Sequence, residues 1–152
     1  MPSHPRITLD PTDHAVITAL QRDGRLSAAA LAREVSLSAS ATAGRLGRLT
    51  GAGVITGYEA RVDPEALGYT ITAFVRLAYP SGRYRPVHEM LEQVAEIVEA
   101  HHTTGSDCFL LKVQARSMRG LERITGRVAG LGSITTSVVC SSPLPSRHLG
   151  PA

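Results

Sequence analysis

Residues 26–58, LSAAALAREVSLSASATAGRLGRLTGAGVITGY, constrain the fold of this chain more than any other stretch. They hold two short helical patterns separated by one tight turn. Ser27 stands where it can cap the first pattern, whose apolar positions are Ala30, Leu31 and Val35. Leu37-Ser38 opens the second, with Ser38 as its natural N-cap. That helix should stop at Gly53. With Gly53 in the left-handed position just past the helix, Val54 is the next residue out and Leu49 is its Schellman contact. Upstream, Asp10-Pro11-Thr12-Asp13 is a helix start: an Asp cap, a proline at the first position and an acid in the first turn. Val16, Ile17 and Leu20 then share a face, and Gly24 ends this helix near Asp23. Three helices packed into about 45 residues make little core of their own. Such a unit is expected to lean on a partner subunit or on the rest of the chain.

A helix pair of this kind, with arginines on the outward face of its second member, is how a helix-turn-helix presents one helix to the major groove of DNA. On that helix Ala39, Ala43, Leu46 and Leu49 are expected to face inward, and Ala41, Gly44, Arg45 and Arg48 outward. Arg45 and Arg48 are the candidates to bridge guanine or hold phosphate. Ser38, Ser40 and Thr42 can donate to phosphates, and the small Ala41 and Gly44 let the helix lie close to the groove floor. Arg33, on the preceding helix, is placed to clamp the DNA backbone. A charged helix face alone is usually just solvated; the short helix spacing and the caps favour the DNA reading here. Gly44, Gly47 and Gly51 each cost about 1 kcal/mol relative to alanine, so this helix is expected to firm up on DNA.

The pattern changes downstream. From Val54 to Gly68 a short apolar strand is followed by Asp63-Pro64, a mixed stretch that reads as a connection. Residues 70–79 are rich in β-branched and aromatic side chains. Residues 86–94 are helical, with Val87, Met90, Leu91 and Val94 on one face. Two strands, 97–104 and 108–115, surround a turn at Gly105. A helix over 118–131 carries Leu121, Ile124 and Val128, and 134–140 is a last strand. The order β-α-β-β-α-β is the split, ferredoxin-like arrangement. The expected fold class is therefore α+β. A winged-type helix-turn-helix domain of three helices occupies 1–57, a linker 58–69 and a ferredoxin-like domain 70–142, and a loose Pro- and Ser-rich tail covers 143–152.

Composition narrows the function classes. An apolar fraction of 43% supports a real core, and a formal charge of +3 is mildly basic and compatible with DNA. No apolar run is long enough to span a membrane, and the first residues lack a signal-peptide core, so a cytoplasmic, nucleoid-associated protein is expected. Cys108 and Cys140 are far apart, match no zinc spacing and read as reduced core residues. With no Trp, stacking platforms for single-stranded nucleic acid are scarce. His101 and His102 are neighbours on a strand and point to opposite faces, which disfavours a shared metal ion. There is no nucleophile–base constellation, phosphate loop or metal set, so neither a catalytic residue nor a cofactor is expected.

The opening half resembles the Lrp/AsnC, or feast/famine, family of transcriptional regulators. The residues that carry the resemblance are Leu9, Asp10, Asp13, Leu20, Asp23-Gly24-Arg25, Leu31-Ala32, Leu37-Ser38, Arg45-Leu46, Gly53-Val54-Ile55 and Gly57-Tyr58. Further on, HHTTGSDCFLLKVQARS resembles the family's Thr-Gly-x-x-Asp segment, especially in its asparagine-regulator branch. The resemblance runs from about Leu9 to Arg147. It implies a DNA-binding domain followed by an ACT-like domain that also mediates assembly, as a homodimer building tetramers or octamers on double-stranded DNA. It also implies a small amino acid as effector, held between ACT-like domains of neighbouring dimers. Carried over to this chain, that site is Thr104, Gly105, Ser106, Asp107 and Cys108, with Thr136 as a contribution from the last strand. Gly105 would allow close backbone approach, and Asp107 could pair with an α-ammonium. The chain departs from the family in one respect. Many members have Asp three residues after the glycine; here that position is Cys108, and the acid is one residue earlier. On a strand such a shift changes the face. Three readings stay open: an effector other than leucine, contacts through Ser106 and backbone, or an idle site. Two further functions also remain open, an effector-independent architectural DNA-binding protein and a metabolite sensor acting through protein contacts.

Overall fold

The computed structural model describes residues 7–80, 82–105, 109–144 and 146–150. The chain divides into two compact units, Met1–Arg61 with Leu144–Ala152, and Val62–Pro143. The division falls inside the stretch that the sequence marks as a linker.

The first unit is helical: α1 Pro11–Arg22, α2 Ala28–Glu34 and α3 Ala39–Gly51. Each begins where its cap chemistry places it. Asp10 and Asp13 form a capping box, each carboxylate accepting from the other's backbone N–H at 2.8–2.9 Å. Ser27 accepts from the Ala30 N–H and Ser38 from the Ala41 N–H. At the end of α3, Gly53 has φ +69, and the Val54 N–H reaches the Leu49 carbonyl at 2.9 Å, which is the Schellman closure. Val16, Ala19, Leu31 and Leu49 form the small core, with Ile7, Leu9, Ile17, Leu20, Leu26, Val35 and Ile55 packed around it.

Two expectations fail in this unit. No strand forms between Val54 and Asp63, so the unit has no wing among the described residues. Ile55 instead packs on the helical core, and among the described residues no second strand lies beside this segment to complete a ladder. The inward face of α3 is also rotated. Thr42 and Leu49 are fully buried, whereas Ala39 and Ala43 are exposed.

The second unit is the expected split arrangement. Its elements are β1 Ile71–Ala78, α4 Arg85–Gln93, β2 Ile97–His102, β3 Phe109–Ala115, α5 Met118–Ala129 and β4 Ser133–Val138. A 3-10 turn over Glu65–Leu67 precedes β1. The sheet is antiparallel in the order β2-β3-β1-β4. Alternation sets its two faces apart. Ala73, Val75 and Leu77 of β1 and Phe109, Leu111, Val113 and Ala115 of β3 pack with Val87, Met90, Val94, Leu121, Ile124 and Val128 of the helices. The opposite face carries Thr72, Phe74, Leu110, Lys112 and Gln114. Cys140 is exposed and unbridged rather than in the core, and Cys108 lies outside the described residues. No helix among the described residues is long and apolar enough to cross a membrane.

Candidate nucleic-acid interface and effector turn

The outward face of α3 is built from small residues. Ser40, Ala41, Gly44 and Gly47 are exposed, and nothing lies within 4 Å of a Cβ built on either glycine. Thr8, Asp10, Ala41, Gly44, Arg45 and Arg48 border one open concavity there. Ser38 and Ser40 share a contact of 3.2 Å at the helix start, where Ser38 is already engaged as the cap. Arg33 is exposed and has no ion-pair partner among the described residues. Thr42 does not belong to this surface. It is buried, and its hydroxyl donates to the Ser38 carbonyl at 3.0 Å, so it faces the helix packing and not a phosphate. The sequence places Thr42 outward because three small residues flank it and leave the period ambiguous.

Arg45 and Arg48 are not free cations. Arg45 Nη1 donates to Asp10 at 2.6 Å and to Asp13 at 2.9 Å, and Arg48 Nη2 donates to the other Asp13 oxygen. Asp13 is wholly buried, while Arg45 and Arg48 remain 29% and 41% exposed. The carboxylates that cap α1 therefore also hold the arginines of α3. Burial pushes the Asp13 carboxyl up. The Arg48 guanidinium, the Asp10 N–H and Arg45 outweigh that and bring it down to about 2. Asp10 is lowered, chiefly by Arg45, and Arg45 is raised by the two aspartates. Each guanidinium has five N–H donors, so both keep several for another partner. In the sequence Asp10 and Asp13 stand out as helix-start residues and as part of the family resemblance, not as partners of α3. The pairing joins positions 32–35 residues apart, a distance that helical periodicity does not reach.

In the second unit the turn after Thr104, which the family resemblance marks as the expected effector site, is described only as far as Gly105. Thr104 and Gly105 are exposed, and Gly105 has φ +109, a left-handed backbone that only glycine adopts without strain. Ser106, Asp107 and Cys108 lie outside the described residues. Beside the turn is an aromatic group absent from the sequence reading. Tyr84 stands 4.7 Å from His102 and 5.6 Å from Phe109, and His102 stacks on Phe109 at 5.0 Å. Tyr79 joins it at 6.3 Å from Tyr84. The chain has only four Tyr and two Phe, so three of its six aromatics collecting here was a usable signal. The two adjacent histidines do part: His102 pairs with Phe109 on the helix-covered face, and His101 pairs with Leu110 and contacts Glu99 on the other.

Thr136 is not brought to this turn. It sits on β4, at the opposite sheet edge from β2, paired with Val75. Three strand spacings, about 14 Å, separate those edges within one chain.

Comparison with known proteins gives one consistent answer for both units. Residues 9–50 match the AsnC-type helix-turn-helix domain, and residues 72–149 match the Lrp/AsnC ligand binding domain. The chain is 33% identical over 134 residues to the transcriptional regulator FL11 of Pyrococcus furiosus, covering 86% of this chain and 89% of that protein. Among solved structures, it is similar to the feast or famine regulatory protein of Mycobacterium tuberculosis complexed with L-methionine. The TM-score is 0.86 at 30% identity, over 95% of this chain and 100% of that one. It is likewise similar to a Neisseria meningitidis transcriptional regulator in complex with L-methionine. There the TM-score is 0.86 at 25% identity, over 93% of this chain and 96% of that one.

Proposed function

Because the chain belongs to the Lrp/AsnC family of transcriptional regulators, we propose that it binds double-stranded DNA through α3 and responds to a small amino acid held at the turn after Thr104. It is a regulator with a helix-turn-helix and an Lrp-type ligand-binding domain, and not an enzyme. The observation that carries the DNA reading is the exposed small-residue face of α3 with two arginines held at its edge. Ser40, Ala41 and Gly44 would approach the groove floor, Arg45 and Arg48 would use their remaining donors on bases or phosphates, and Ser38 and Arg33 would flank the backbone. The protein would act in the cytoplasm, on the nucleoid.

For the effector, the support is a positive-φ glycine beside an aromatic group, and two similar proteins solved with L-methionine. Thr104, Gly105, Ser106, Asp107 and Cys108 would line the site. Thr136 joins it only where a neighbouring chain brings its β4 edge to this turn, which fits a homodimer assembling further into tetramers or octamers.

The test has two stages. DNA duplexes are first selected by the protein from a randomised pool. Binding to them is then followed by fluorescence anisotropy with each of the twenty amino acids added in turn. One amino acid that stabilises the protein and changes its DNA affinity establishes the reading. DNA binding unmoved by all twenty supports the architectural alternative, for which the small residues on α3 already argue through modest sequence preference. No DNA binding even at low salt leaves the sensor module.

A further inference from the structure

We propose that Asp10 and Asp13 are positioning residues for DNA recognition: they orient the guanidinium forks of Arg45 and Arg48 and cancel their net charge, so that α3 reads DNA by geometry and not by bulk attraction. The inference rests on the DNA-binding reading and deepens it. Two carboxylates face two guanidiniums, so the cluster is neutral as a whole. Asp13 contacts both arginines, one through each oxygen, and is wholly buried. Both aspartates are also fixed by the capping box, so the anchor they give the arginines is as rigid as the start of α1. No buried side-chain polar atom among the described residues lacks a hydrogen-bond partner, so the network is closed on its protein side.

The physical consequence is specific. A free arginine near DNA releases a counterion, steepening the dependence of log K on log salt by about 0.9 per phosphate neutralised, whatever the sequence. An arginine already paired with a carboxylate contributes less of this. What it keeps is the direction of its unused N–H donors, which is the property that separates one base edge from another. The aspartates thus trade sequence-independent affinity for discrimination.

Asp10→Asn is the informative variant. Asparagine caps helices as well as aspartate does, so α1 keeps its start while Arg45 loses an anionic partner. Asp13→Asn is the second variant, followed with its melting temperature because the site is buried. Anisotropy is measured from 50 to 400 mM salt on a duplex selected by the wild-type protein and on a scrambled duplex. For Asp10→Asn we expect a salt slope steeper by up to about 0.9 and scrambled-duplex binding on the order of fivefold tighter near 0.1 M salt. We expect the preference for the selected duplex to fall about tenfold. Unchanged slope and preference in both variants, with only melting temperature lowered, would mean the aspartates merely join α1 to α3, and would overturn the inference while leaving DNA binding intact. Failure of the wild-type protein to bind either duplex at 50 mM salt would overturn the DNA reading itself, and this inference with it.

Discussion

At the scale of single residues, Asp13 is where burial and charge oppose each other most directly. Burial raises its pKa, and hydrogen bonds from Arg48, the Asp10 N–H and Arg45 more than reverse that, lowering it from 3.8 to about 2. A carboxyl whose folded pKa lies below its unfolded value binds fewer protons when folded. Its stabilisation is complete above pH 3.8 and is lost as pH falls through about 2. The melting temperature of the helical unit should therefore drop across that window, and Asp13→Asn should flatten the drop as well as lower the plateau. Circular dichroism melts of the two proteins at several pH values check this; parallel curves would deny the carboxylate its ionic role. Arg33 makes the contrasting case. It has no carboxylate partner among the described residues, so it should act as a plain phosphate contact. Arg33→Ala should make the salt slope shallower by roughly 0.9 and weaken selected and scrambled duplexes alike; a loss confined to the selected duplex would mean Arg33 reads bases. Asp10, Asp13 and Arg33 differ in how far the sequence disclosed them. The cap role of the aspartates is written within four residues, whereas their grip on α3 depends on a tertiary approach that no local pattern encodes.

Among the elements, α3 separates what was legible from what was not. Its start at Ser38 and its stop at Gly53 follow from cap chemistry, and both stand in the structure. Its facing is not legible in the sequence, because alanine has too little side chain to choose between core and solvent. Ala39 and Ala43 would fit an inward stripe as well as Thr42 does, and the packing took Thr42. The strands and helices of the second unit were easier. Val87, Met90, Leu121, Ile124 and Val128 are large enough for periodicity to decide, and all are buried. The expected wing fails for a different reason: the segment at Val54-Ile55 is apolar enough for a strand, but no strand lies beside it among the described residues. Two glycines give opposite predictions. Gly47 is on the exposed side of α3 with nothing within 4 Å of an added Cβ, so Gly47→Ala should stabilise the helix by up to about 1 kcal/mol. A Cβ on Gly132, just before β4, would stand 2.3 Å from the Ala78 carbonyl oxygen. Gly132→Ala should therefore cost roughly 1–3 kcal/mol through backbone displacement. For a domain of this size those changes appear as opposite shifts of several degrees in melting temperature. A neutral Gly132→Ala would mean that the β1–β4 edge yields freely.

For the molecule as a whole, α4 and α5 of the second unit both pack on one face of its sheet. An antiparallel sheet can leave its second face to water, and alternation then makes that face polar. Here the alternation is broken in the two central strands. Phe74 is 38% exposed on β1, and Leu110 lies on the same face of β3 beside Phe74's neighbours. Around them are polar groups already matched with each other: Lys112 bonds Glu99 at 2.7 Å, and Thr72 bonds Gln114 at 3.0 Å. Arg76 shares this face, opposite Leu110. An exposed aromatic with an arginine beside it, in a surround of paired polar groups, has the make-up of a protein interface. Two such faces related by a two-fold axis would close on each other without further sites. The wild-type protein is accordingly expected to be at least a dimer at micromolar concentration, and Phe74→Glu to shift it toward monomer by light scattering. DNA binding supplies the second readout. Two helix-turn-helix units joined through their sheets bind one site with an effective concentration that a single unit lacks, an advantage on the order of a hundredfold or more. Phe74→Glu should thus weaken binding to a two-half-site duplex by about that factor while leaving the melting of the helical unit and binding to an isolated half-site unchanged. A dimer that survives the substitution, with DNA affinity intact, would move the interface off this face and onto the helical units or the sheet edges.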